Sequence, residues 1–199
     1  MITQHFTSEL STFMRKSSPS AKKTVEPFKL ASIDPDEYRQ KTRKASWILI
    51  AIFIALAMLY SSLLVMFFGQ PGGDNFSLNV TGVLAGVAVT AFLVRTLFSK
   101  QPWMAANLYG WKLKRSLMSV TNVMHHVTSA VEAQNPAAMK LLRFYHLGLM
   151  QMHKLDGNSS ESSELVYEAN AHKARMEELG IDSDQQSLDP AWLAAVKTK

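Results

Sequence analysis

Cysteine is absent from all 199 residues. That removes disulfides, thiol nucleophiles and Cys-ligated zinc or iron–sulfur centres together. Charge is missing from two long stretches: residues 46–68, 23 positions in all, and residues 76–94 contain no Asp, Glu, Lys, Arg or His. Ion and proton pathways inside a bilayer ordinarily need one, so the gap argues against an autonomous channel or transporter. The familiar catalytic templates are missing too. There is no Gly-rich phosphate loop, no His-Glu-x-x-His, no Gly-x-Ser-x-Gly elbow and no pair of carboxylates on the basic part of the chain. The first 33 residues lack the apolar centre of a secretory signal.

What is present begins with the two uncharged runs themselves. About 20 apolar residues cross the roughly 30 Å hydrocarbon core as a helix, and neither run has the polar face of a soluble core helix. The linker GQPGGDN, residues 69–75, breaks helix at Pro71 and at the pair Gly72-Gly73. The runs therefore form an antiparallel transmembrane hairpin over residues 34–98, with spans at about 46–68 and 76–95. Upstream, Asp34-Pro35-Asp36-Glu37 has the N-cap, N1 proline and acidic first turn of a helix start. Nothing breaks that helix before Gly69, so its first ten or so residues project beyond the span.

Charge orients the hairpin. Residues 1–45 carry nine Lys/Arg against five acids, and Arg95, Lys100, Lys112, Lys114 and Arg115 follow the second span, whereas the linker has only Asp74. Lys and Arg are retained on the cytoplasmic side, which places both termini in the cytoplasm of a multi-pass inner-membrane protein. Residues 1–33 read as a disordered basic tail, although Ile2, Phe6, Leu10, Phe13 and Met14 have near-helical spacing and could rest on lipid. In the second span Gly82, Gly86 and Thr90 form a small-residue stripe for close helix packing, either within the hairpin or against a second copy.

Residues 103–199 form a cytoplasmic helical region. Leu113, Leu117, Val120, Met124, Val127 and Val131 alternate spacings of four and three, predicting one amphipathic helix. Asn135-Pro136 caps a second, with Ala138, Leu142, Tyr145, Leu149 and Met152 on one face and an end near Gly157. A third starts at the capping-box pattern of residues 158–161 and ends at Gly180, and Asp189-Pro190 opens a short last one. The fold class expected is thus all-α: a two-helix transmembrane hairpin plus a cytoplasmic helical hairpin with additional C-terminal helices. Residues 103–155 have six bases and one acid, net +5, while residues 156–189 have nine acids and two bases, net −7. The basic hairpin is expected to lie on the membrane surface through Trp103, Trp111, Lys112, Lys114 and Arg115, with the acidic helix docked onto it or turned to solvent.

His125, His126, His146 and His153 are the one constellation that could be a site. A hairpin turning near residues 134–135 brings His125 or His126 level with His146, and imidazole suits zinc, nickel or copper. His153 sits two turns on, and no carboxylate or thiol is near in sequence to add a third ligand. Half-buried structural histidines beside an apolar stripe are the plainer reading.

The segments IDPDEYRQKTRK, GQPGGDNFSLNVTGVLAGVAVTAFLVR, LYGWKLKRSLMSVTNVMHHV, LLRFYHLGLMQMHKLDGNSS and LDPAWLAAV, in this order, resemble a bacterial inner-membrane family catalogued only as a domain of unknown function, number 3087. The resemblance runs from residue 28 to residue 196 and implies no catalytic residue. The function expected is a non-enzymatic membrane-anchored adaptor or scaffold without cofactor, partnered by the lipid bilayer, a second copy or another cytoplasmic or membrane protein, and not by nucleic acid. The alternative is a membrane-associated enzyme or metal-binding sensor using the histidines and Tyr145.

Overall fold

The computed structural model describes residues 27–158 and 163–197. Among them the fold is all-α, with seven α-helices: α1 Pro35–Phe68, α2 Phe76–Thr96, α3 Ala105–Thr121, α4 Met124–Glu132, α5 Pro136–Asp156, α6 Ser163–Glu178 and α7 Pro190–Lys197. Two 3-10 turns, Phe98–Lys100 and Pro102–Met104, join α2 to α3.

α1 starts as its sequence dictates. The Asp34 carboxylate accepts from the Glu37 N–H at 2.8 Å, and Pro35 occupies the first turn, where a missing N–H costs nothing. The helix then runs unbroken for 34 residues, roughly 50 Å. α1 and α2 are both long and apolar enough to cross a membrane, and only 6% and 11% of their apolar windows are buried within the protein. Helices of a soluble core would be enclosed. Here Ile54, Met58, Leu84 and Phe92 point outward instead.

The glycine stripe is spent inside this hairpin. A Cβ built on Gly82 would stand 2.4 Å from Ser61 Cα, and one on Gly86 would stand 2.9 Å from Ala57 Cα. Backbone meets backbone at both places, as small-residue packing requires. Thr90 turns its hydroxyl to the Gly86 carbonyl of its own helix at 2.7 Å. Ser61 closes the seam by donating to the Asn79 carbonyl at 3.0 Å. At the linker, Gly72 adopts φ +76°, Asn75 Oδ1 accepts from the Gln70 N–H at 3.1 Å, and Asp74 accepts from the Phe76 N–H at 2.9 Å.

Beyond α2, α5 is the hub, packed by α3, α4, α6 and α7 and touched by α1. Asn135 caps it, accepting from the Ala137 and Ala138 N–H groups at 2.9 and 3.3 Å, and Gly157 ends it at φ +77°. Its buried residues are Ala138, Met139, Leu141, Phe144 and Leu155, together with Arg143 and His146. The expected stripe was therefore too narrow. Leu142, Tyr145, Leu149 and Met152 are only half-buried, because partners on several sides enclose more than one face.

The single helix expected over residues 113–131 is two. Its apolar positions are buried, Met124 half so, but α3 stops at Thr121 and α4 begins at Met124. Val120, Thr121 and Val123 are β-branched and Asn122 is a poor helix former, so the helix tightens there, with Val123 N–H donating to the Val120 carbonyl at 3.0 Å. The bend keeps Val123 in the core beside Val120 and Val127.

The disordered tail expected over residues 1–33 is corrected at its end. Residues 1–26 lie outside the described residues, but residues 27–33 form an extended strap. Leu30 N–H donates to the Gln186 carbonyl at 2.8 Å, and Leu188 N–H donates to the Phe28 carbonyl at 2.9 Å. Ala31 N–H donates to the Tyr109 hydroxyl at 3.0 Å, which in turn donates to Gln151 Oε1 at 2.8 Å. Phe28, Leu30 and Ile33 pack on the core, which is why these residues are held. The expected boundary between hairpin and helical region is also crossed by α1, whose Tyr38 is buried with Leu113, Leu117 and Leu155.

Candidate functional site

The polar groups on α5 and α6 form a buried cluster. Arg143 is 8% exposed and donates through Nε to the Ser183 carbonyl at 3.0 Å and through Nη1 to the Ala169 carbonyl at 2.9 Å. His172 Nε2 lies 2.9 Å from the Met139 carbonyl, which can only accept, so that nitrogen carries the proton. The His146 ring stands edge-on to His172 with centroids 5.5 Å apart, and its Nδ1 has no hydrogen-bond partner. Burial, then His172, then Arg143, pull the His146 pKa down to about 4. His172 is lowered as well, chiefly by burial and against the opposing pull of its bond to Met139. Both imidazoles are thus kept neutral in the core.

The three candidate metal ligands are not gathered. His146 faces α6, whereas His125 is exposed and His126 half-buried on α4, their neighbouring rings 3.8 Å apart. Among the described residues no three His, Asp or Glu side chains are placed to hold a metal ion. Tyr145 packs on the apolar core. Sequence reasoning missed Arg143 and His172. The signal for His172 was there: Leu165, Ala169, His172 and Met176 are all buried on one face of α6, at spacings of four, three and four.

The surface residues divide differently. Trp103 packs against Phe98 with centroids 5.5 Å apart, at the junction of the 3-10 turns. Lys114 is paired with Asp156 at 3.0 Å. Trp111 is 56% and Met118 63% exposed, and the Arg115 guanidinium lies over the Trp111 ring, 5.2 Å from its centroid. These three recur at four and three residues, one outward stripe on α3. The acidic α6 packs on α5 and leaves this stripe uncovered.

Beside the stripe runs a groove of about 790 Å³ between α3, the strap and the start of α7. Lys29, Lys112 and Arg115 line it together with apolar residues that include Phe28, Leu188 and Leu193, and no carboxylate lines it. Among the described residues none of the three cations has a carboxylate oxygen within 4.0 Å.

Tyr38 lies nine residues before Trp47 on α1, roughly 13 Å along the axis. Its hydroxyl sits where a Gly110 Cβ would be, 2.0 Å away. α3 therefore packs on α1 at Gly110, and Trp111, Arg115 and Met118 follow that contact in the chain.

A family described as a protein of unknown function (DUF3087) matches residues 28–193. No curated protein and no solved structure matches the chain.

Proposed function

The chain belongs to the DUF3087 family, which brings no assigned activity, and from that premise we propose that it is a non-enzymatic adaptor of the bacterial inner membrane. The hairpin α1–α2 anchors it with both ends in the cytoplasm, as the Lys/Arg asymmetry requires. Helices α3–α7 are the presented module. The observation that carries this reading is the stripe Trp111–Arg115–Met118, exposed on a module whose own acidic helix packs elsewhere. Trp, Arg and Met are the residues enriched where proteins meet. The histidines support the same reading from the other side, since His146 and His172 are both buried in the core and His172 is hydrogen-bonded to the Met139 carbonyl.

A photo-crosslinking side chain installed at Met118 in native membranes tests the adaptor. It should attach to a second protein, whereas the same group at Tyr167, 75% exposed on α6, should not. Lipid adducts alone at Met118, or equal capture at both positions, would count against it.

A further inference from the structure

We propose that the groove beside α3 receives an acidic peptide segment of a partner protein, one whose carboxylates are interleaved with apolar side chains. This rests on the adaptor reading and names the partner's chemistry. Three features of the groove carry it. Its rim is of one sign, Lys29 from the strap and Lys112 and Arg115 from α3, with no carboxylate among the lining residues. Its apolar lining includes Phe28 and Leu193, both half-buried. It is also continuous with the exposed stripe, because Arg115 both lines the groove and lies over Trp111.

Other occupants fit less well. The 26 residues before Pro27 carry four bases and two acids, which a basic rim repels. Lipid headgroups match the basic rim by charge alone, and the apolar residues beside it call for side chains that a headgroup lacks. An acidic peptide needs no membrane, and the pairing of carboxylates with apolar anchors matches both parts of the groove.

The test uses the full chain in discs of neutral phosphatidylcholine and three short labelled peptides, repeating Glu-Glu-Leu, Glu-Glu-Ser and Lys-Lys-Leu. Anisotropy should show the Glu-Glu-Leu peptide binding most tightly, the Glu-Glu-Ser peptide several-fold more weakly and the Lys-Lys-Leu peptide not at all. Reversal by Lys112→Glu with Arg115→Glu should weaken the first peptide about tenfold or more, and Lys112→Gln with Arg115→Gln should fall between. Leu193→Ser should weaken Glu-Glu-Leu alone. Thermal unfolding of each variant reports whether the module remains folded, and the Gln pair keeps the comparison available if the reversed pair does not. Equal binding of the two acidic peptides, no binding of either, or indifference to the reversals would overturn the proposal. So would loss of peptide binding when the discs contain anionic lipid, since the membrane would then be the occupant. A crosslink at Met118 without peptide binding would leave the adaptor standing and remove only this partner chemistry.

Discussion

His146 is a neutral imidazole because the core leaves it no alternative. Its ring is 6% exposed, His172 faces it from α6, and Arg143 on its own helix is cationic nearby. Unfolding returns it from about 4 to the ordinary 6.5, so the unfolded chain takes up the extra proton. The stability held in the neutral ring is therefore complete above about pH 6.5 and is lost as pH falls towards 4, by up to about 3 kcal/mol. His172 shifts the same way and adds to the slope. Thermal unfolding at pH 7.5 and pH 5 should show this drop in the parent chain and much less of it in His146→Leu. The same variant should be within about 1 kcal/mol of the parent at pH 7.5, because Nδ1 forfeits no hydrogen bond. An unchanged pH dependence would assign it to another group. Gly82 is the second residue with no alternative. An added methyl meets Ser61 backbone at 2.4 Å, so Gly82→Ala should destabilise the hairpin by about 1–3 kcal/mol, while Val83→Leu on the outer face should do little. Similar melting of the two variants would deny the glycine its role.

Between elements, the decisive contact is α1 on α3. Tyr38 occupies the notch left by Gly110 and is buried in the small apolar cluster with Leu113, Leu117 and Leu155 that joins α1 to α3 and α5. Gly110→Ala should lower stability by about 1–3 kcal/mol, and adding Tyr38→Phe should restore part of it, since the hydroxyl is the clashing atom. A double-mutant cycle measures this, and strictly additive losses would mean the two residues do not share the notch. The elements themselves were largely legible: caps at Asp34 and Asn135, the breaks at Gly69 and Gly157, and the glycine stripe all follow from local chemistry. The break at residues 122–123 was read past, because the β-branched residues and Asn122 lower helix propensity only slightly and the apolar spacing continues across them. The width of the buried face of α5 was hidden for a related reason. Periodicity reports that a helix has an inner side, and only the assembled fold says how many neighbours press on it.

For the molecule as a whole, the orientation proposed here is directly measurable. The chain has no cysteine, so single cysteines at Asn75 and Asn158 label against a silent background. In intact cells an impermeant thiol reagent should reach Asn75→Cys and should not reach Asn158→Cys. Labelling of the latter from outside would invert the topology. The candidate site was only half legible at this scale. Trp111 and Arg115 stand out in sequence by type and spacing, but the groove beside them depends on a strap from residues 27–33 meeting residues 186–188, a long-range pairing that no local pattern announces.

In the proposed membrane orientation α1, which passes from its apolar run to Tyr38 without a hinge, is a lever whose fulcrum is the bilayer. A tilt of about 20°, ordinary for a spanning helix, carries Tyr38 sideways by about 5 Å. The same swing carries α3 and its groove, because Tyr38 is wedged into α3 at Gly110. The tilt of α1, set by its packing on α2 and by its interfacial anchors, thereby sets the lateral reach of the proposed binding face, and a glycine pair inserted near Lys44 would uncouple the two.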